Sequence, residues 1–196
     1  MKKVLLCREE DSLETRVALI PDDIKKLKNM GFEFKVVSGA GIKSGFSDES
    51  YVNAGAEVIE SADAGYADSE IVVRILKPSN IDNLKEDTLH LSYLDPFNEK
   101  ELLNKFVEKK AMAVSLEMIP RTTLAQKMDV QSSQTSLAGY VAVINAAAKL
   151  PKIFPMMMTP AGTISPARVF IIGVGVGRWK FCYGCLPYGK KTGCKS

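Results

Sequence analysis

Along the first 120 residues, short apolar runs alternate with stretches where apolar positions recur at helical spacing. Val4–Cys7, Phe32–Val37, Val58–Ile59, Ile71–Leu76, Thr88–Leu94 and Met112–Leu116 are each bounded by charged or turn-forming residues, and they predict buried strands. Pro21, Ile24, Leu27 and Met30 form one helical stripe, opened by the proline and closed by Gly31. Ser47-Asp48-Glu49 predicts a second helix start, with its acids at the positive end of the helix dipole, and this helix ends at Gly55. Asn98 is expected to cap a third, whose Leu102, Leu103 and Phe106 share a face. Gly39-Ala40-Gly41 and Asp95-Pro96 mark turns, and Pro78 breaks the run before it. Strands alternating with helices predict an α/β domain of Rossmann-like type with a mainly parallel sheet.

The pattern then changes. Pro120–Gly139 is a polar stretch between two apolar runs, Ala111–Leu116 and Val141–Ala148. Ser136 to Leu150 is rich in Ala and Val, and it predicts a long helix whose apolar density calls for burial. Pro151 to Pro166, with four prolines, three methionines and one glycine, predicts an extended connector in which Met156–Met158 fill core space. Arg168 to Gly177 reads as a strand running into glycines.

Composition narrows the class. The chain has 196 residues, enough for one large or two small domains with a sizeable core. Hydrophobic residues make up 46% and charged ones 25%, ordinary values for a globular chain. A net charge of +3 with no basic patch interleaved with aromatics argues against nucleic acid as a partner. No segment approaches the roughly 20 apolar residues that cross a bilayer, so no direct membrane insertion is expected. Met1-Lys2-Lys3 before Val4-Leu5-Leu6-Cys7 mimics a signal sequence. The apolar part is far shorter than the usual ~7–15 residues, and Arg8-Glu9-Glu10-Asp11 follows at once. A first strand of an intracellular chain is the expectation. Three of the four cysteines, Cys182, Cys185 and Cys194, lie near the C-terminus, and the single histidine, His90, is distant in sequence. Four metal ligands are not assembled by that set, so neither zinc nor any other metal is expected.

The candidate chemistry lies in the polar stretch. Arg121, Gln126, Asp129 and Ser132 follow one another at spacings of five, three and three, and the last two spacings suit one helix face. Arg is a fixed fork of donors, Asp an acceptor, and Gln and Ser either. That set suits a planar polar ligand bearing an amide, ribose hydroxyls and phosphates. Spacing alone leaves a second reading open, a solvated polar connection between domains. A second signal is Gly173-Val-Gly175-Val176-Gly177 after a strand, the opening of a dinucleotide fingerprint.

Together, PRTTLAQKMDVQSSQTSLAGY and FPMMMTPAGTISPARVFIIGVGV resemble the NAD(H)-binding alpha subunit of proton-translocating NAD(P) transhydrogenase, over residues 1 to about 176. The resemblance implies an N-terminal α/β domain at 1–132. It implies the linking helix and first strand of a second Rossmann domain, which binds NAD, at 133–176, and a tail outside the family at 177–196. It implies a cofactor, NAD(H), that passes hydride to NADP(H) on a beta subunit. A membrane domain couples this to proton movement, and the chain would be cytoplasmic, homodimeric and peripheral to the inner membrane through its partners. By the same resemblance Arg121 holds the carboxamide or phosphate side, and Asp129 and Ser132 orient the carboxamide. Gln126 bridges towards the ribose and the partner's nucleotide. Gly173, Gly175 and Val176 belong to the cofactor turn, and Gln126 and Asp129 stand nearest the hydride transfer.

Two departures qualify this. The fingerprint continues as Gly177-Arg178-Trp179 where the family has Ala-Gly, and the 21 residues after Gly175 contain no Asp or Glu for the ribose. Codons for that tail read one base later can restore Ala-Gly, which points to a frameshift, and residues 1–196 alone are expected to be inactive. The chain also resembles alanine dehydrogenase through Arg16–Pro21, RVALIP. The lysine and histidine of that enzyme fall at Leu76 and Asp95, which carry neither an amine nor an imidazole. His90 is expected to be a satisfied structural residue. A noncatalytic dimerisation or binding fragment is the third alternative.

Overall fold

The computed structural model describes residues 2–170, so Gly173, Gly175 and Val176 lie outside the described residues. The chain divides into two compact units, Met1–Pro120 and Arg121–Ser196.

The first unit is a six-stranded sheet built from β1 (Lys2–Leu6), β2 (Phe32–Val37), β3 (Glu57–Ile59), β4 (Ile71–Val73), β5 (Leu89–Ser92) and β6 (Met112–Ser115). Every pair is parallel, in the order β3-β2-β1-β4-β5-β6. Four helices accompany it, α1 (Pro21–Lys28), α2 (Asp48–Asn53), α3 (Ala62–Asp68) and α4 (Lys100–Glu108). The strand order reverses between β1 and β4, and open α/β sheets bind ligands outside the strand ends at such a reversal.

Successive side chains of β1 go to opposite faces, as strand geometry requires. Leu5 and Cys7 join a cluster with Tyr66, Val72, Leu94 and Phe106. Val4 and Leu6 join the other, with Ile24, Phe34, Val36 and Tyr51. Both faces being covered explains why the strands read as unbroken apolar runs. Burying each such Leu or Val stabilises by about 1.5–3 kcal/mol relative to exposure. The helix α3 lies so close to β1 that a Cβ on Gly65 would come within 2.4 Å of a Leu5 methyl.

Several expectations need correction. The helix α3 is absent from the periodicity reading. It spans seven residues, and its start is signalled only by Ser61, whose side chain accepts the Asp63 N–H. Strand β4 ends at Val73 rather than Leu76, because the Glu9 carboxylate takes the backbone N–H groups of Ile75 and Leu76. Asn98 does not cap α4. Its amide donates to both Asp95 carboxylate oxygens at 3.0 Å, and Glu99 stands at the N-cap without a side-chain bond.

The second unit contains α5 (Val130–Lys149) and a hairpin of β7 (Met157–Thr159) and β8 (Gly162–Ile164). The long helix therefore starts six residues before Ser136, capped by Asp129. The segment read as an extended connector holds a hairpin instead. Thr159 pairs with Gly162 across its turn, and Gly162 adopts φ 131°, a conformation that residues with side chains rarely take. The expected burial of the helix also fails. Leu137, Tyr140, Val141 and Ile144 are exposed and only Val143 is buried. The methionines of the hairpin are exposed too, Met158 at 82%, so they do not fill a core here.

Candidate functional site

Residues 121–129 form a turn-rich loop that α5 ends. Its backbone closes on itself, Ala125 N–H to the Thr122 carbonyl at 3.1 Å and Met128 N–H to the Ala125 carbonyl at 2.8 Å, with the Ala125 side chain buried. Asp129 stands where the chain turns helical. One carboxylate oxygen accepts the Ser132 N–H at 2.8 Å, the other the Ser132 hydroxyl at 2.5 Å. This is a helix N-cap that satisfies one of the orphan donors of the first turn. The Ser132 hydroxyl, the Ser132 N–H and the nearby Arg121 guanidinium hold the Asp129 carboxyl below its usual value. It is an anion at neutral pH.

Arg121 reaches the same helix start. Its Nη2 donates to Gln131 Oε1 at 3.1 Å. The structure thus brings Arg121, Asp129 and Ser132 together around the first turn of α5. It adds Gln131, which the spacing argument passed over although it lies two residues beyond Asp129 in the same polar run. Gln126 is exposed on the loop, apart from that cluster of bonds. The cluster presents one cation, one anion, an amide and hydroxyls. It can therefore match a ligand that is both amide-bearing and anionic. Its charged members are a carboxylate and a guanidinium. None of these residues lines the 580 Å³ cavity of the same unit, which Leu150, Ile153, Phe154 and Met157 make apolar.

In the first unit, the carboxyl ends of β1, β4 and β5 carry a buried polar group. Arg74, 2% exposed, lies 3.8 Å from Glu9 and 3.0 Å from Glu10. The Cys7 thiol sits 3.8 Å from the Tyr66 hydroxyl, and burial pushes it up to about 11, so it is not a nucleophile. His90 is wholly buried in β5. Its Nδ1 lies 3.4 Å from the Ser92 hydroxyl, and its Nε2 has no partner among the described residues. The expectation of a satisfied histidine is therefore half met. Burial, then the Arg74 charge, pushes its pKa down to about 4, which keeps the ring neutral.

The positions that would carry amino-acid oxidation have other roles. Leu76 gives its backbone N–H to Glu9. Asp95 is a turn residue with φ 51°, donating its N–H to Glu117 at 2.5 Å and accepting from Asn98. No group of three or more metal-ligating side chains occurs among the described residues, and no helix among them is long and apolar enough to cross a membrane.

The first of the parts that make up NAD(P) transhydrogenase subunit alpha in Rhodospirillum rubrum is 35% identical over 181 residues, 89% of this chain and 47% of that protein. NAD(P) transhydrogenase subunit alpha of Cereibacter sphaeroides is 40% identical over 165 residues, 83% of this chain and 32% of that protein. The chain thus spans about half or less of the length of these relatives. The crystal structure of transhydrogenase from Sinorhizobium meliloti superposes with a TM-score of 0.85 at 36% identity, over 92% of this chain and 54% of the other. An L-alanine dehydrogenase structure superposes at 0.77 with 24% identity, a likeness of fold. The family's C-terminal domain is matched only in part, over residues 142–180. Its N-terminal domain is matched over residues 5–138, most of the chain and the whole of the parallel sheet except the first residues of β1, and the chain belongs to the alanine dehydrogenase/PNT family.

Proposed function

We propose that this chain is the NAD(H)-binding part of a transhydrogenase that moves hydride between NADH and NADP held by a partner subunit. The observation that carries the reading is the cluster of Arg121, Asp129 and Ser132 at the start of α5, in a chain up to 40% identical to transhydrogenase alpha subunits. Leu76 and Asp95 weigh against amino-acid oxidation, since neither side chain can form the required acid–base pair.

In this role the protein does no covalent chemistry. It places one nicotinamide against the other, and the rate comes from orientation. The cofactor supplies the hydride. Asp129, fixed by Ser132, would accept from the carboxamide N–H2, and the Ser132 oxygen, whose hydrogen is committed to Asp129, keeps a lone pair to accept as well. Arg121 steadies the carboxamide or phosphate side, and Gln126 is exposed for contact with the ribose or the partner. Gly173, Gly175 and Val176 would form the cofactor turn. The complete enzyme would include a beta subunit and a membrane domain. The chain would work as a homodimer at the cytoplasmic side of the inner membrane.

A chimera tests this reading. Residues 1–176 are joined to the remaining C-terminal portion of the Rhodospirillum rubrum protein, and NADH binding is followed by fluorescence. Micromolar binding that weakens at least tenfold in Arg121→Ala and Asp129→Ala is expected. Binding that both substitutions leave unchanged would remove the loop from the site. Alanine oxidation by the chimera would overturn the choice of reaction.

A further inference from the structure

The loop from Cys7 to Ile20 joins β1 to α1 without regular structure, across the carboxyl end of β1 where the strand order reverses. Its two ends are fixed. At the start, Glu9 is buried and gives its carboxylate to Ile75 N–H, Leu76 N–H and Arg74. At the finish, Val17, Ala18 and Leu19 pack on the core, and the Leu19 carbonyl accepts from the Tyr51 hydroxyl at 3.0 Å.

The middle is held differently. Lys43 Nζ donates to the carbonyls of Asp11 and Ser12 at 3.1 Å and of Glu14 at 3.3 Å, and the Ser44 hydroxyl donates to the Thr15 carbonyl at 2.6 Å. Leu13 at the tip is 87% exposed, so no apolar burial anchors it. The segment keeps its own shape. Asp11 accepts the Leu13 N–H at 2.8 Å, and Glu14 accepts the Arg16 N–H at 2.9 Å.

We infer that Asp11–Thr15 form a flap over the carboxyl end of β1, latched by the Lys43 ammonium, which opens between the fixed points Glu9 and Val17 and gives up its own Leu13 N–H and Arg16 N–H bonds as it does. Exposed hydrogen bonds from a single cation are the low end of the local stability range, whereas the buried Glu9 anchor opens only with the whole unit. Opening frees the chain that leaves the carboxyl end of β1, the strand at which the order reverses, and open α/β sheets bind ligands outside such strand ends. Arg16 stands at the flap's edge, paired with Glu14, and turns with it.

Hydrogen exchange by mass spectrometry on the 196-residue chain tests the flap. Lys43→Met should speed exchange of the amides at Leu13–Arg16 at least tenfold and leave β1 and α1 at wild-type rates. Lys43→Arg, which keeps a charged donor, should stay within about threefold of wild type. Unchanged rates in Lys43→Met would overturn the inference, as would acceleration spreading into β1 and α1. An equal rise in Lys43→Arg would overturn the latch.

Discussion

Arg74 and Glu9 give the sharpest test of how the first unit is held together. Their side chains are 2% and 5% exposed and 3.8 Å apart, and Glu9 also accepts from Ile75 N–H at 2.6 Å and Leu76 N–H at 3.1 Å. Removing one partner of a buried ion pair costs about 3–5 kcal/mol, chiefly because the other charge is left buried. Arg74→Met should sit near the low end, about 3 kcal/mol, since Glu9 keeps its two backbone donors. Glu9→Gln should cost about 2–3 kcal/mol, because its amide N–H2 then faces a backbone N–H donor while Arg74 retains Glu10. The double variant removes both charges, so its cost should fall below the sum of the singles by at least about 1 kcal/mol. Urea unfolding followed by far-UV circular dichroism measures all three. A loss under about 1 kcal/mol in Arg74→Met, or strict additivity in the double variant, would refute the argument.

Three further outcomes follow from the geometry. His90 has a folded pKa of about 4 against 6.5 unperturbed. Unfolding therefore takes up a proton, and stability that is full above pH 6.5 is lost as pH falls toward 4, by up to about 1.4 kcal/mol per unit. His90→Leu should flatten the urea midpoints between about pH 7 and 5, and an unchanged slope in that variant would count against the buried neutral ring. Gly65→Ala should destabilise the first unit by about 1–3 kcal/mol, since a Cβ there meets Leu5 at 2.4 Å and Ile59 at 2.9 Å; an unchanged thermal midpoint would show that α3 can retreat. Residues 1–196 alone should bind NADH no tighter than about millimolar, because the 21 residues after Gly175 hold no acid for the ribose; a micromolar constant by titration calorimetry would sink this.

The parallel sheet was legible because its central strands, β1 above all, are covered on both faces. That leaves unbroken apolar runs between turn residues, and β2 falls on Phe32–Val37 as the pattern predicts. The helix α3 was not legible, since Ala62–Asp68 buries only Gly65 and Tyr66 and shows no stripe. Glu9 and Arg74 were invisible for another reason. Charged residues beside strands read as solvated, and their pairing joins positions distant in sequence that only strand order brings together. For α5 the apolar density was read correctly as residue chemistry, but density cannot say what covers the helix. Asp129 and Ser132 showed their spacing, and Gln131 was hidden by a stripe argument that counts only threes and fours.

That last case bears on how one residue type serves two purposes. Asp129 commits one lone pair of each carboxylate oxygen to Ser132, at 2.8 and 2.5 Å, and so caps α5. A carboxylate has about four lone-pair sites, so the cap leaves acceptor capacity for a ligand amide without breaking either bond. The cap also fixes the carboxylate's direction, which a loop aspartate lacks, and pins it in its charged form. In the proposed role, ligand orientation and helix initiation would depend on the same two bonds. Asp129→Asn should keep the first turn of α5 protected from hydrogen exchange, because an amide oxygen can still accept the Ser132 N–H. In the chimera it should weaken NADH binding, because an uncharged acceptor holds the carboxamide less strongly. Protection and binding lost together in Asp129→Asn would mean that the carboxylate acts only by starting the helix.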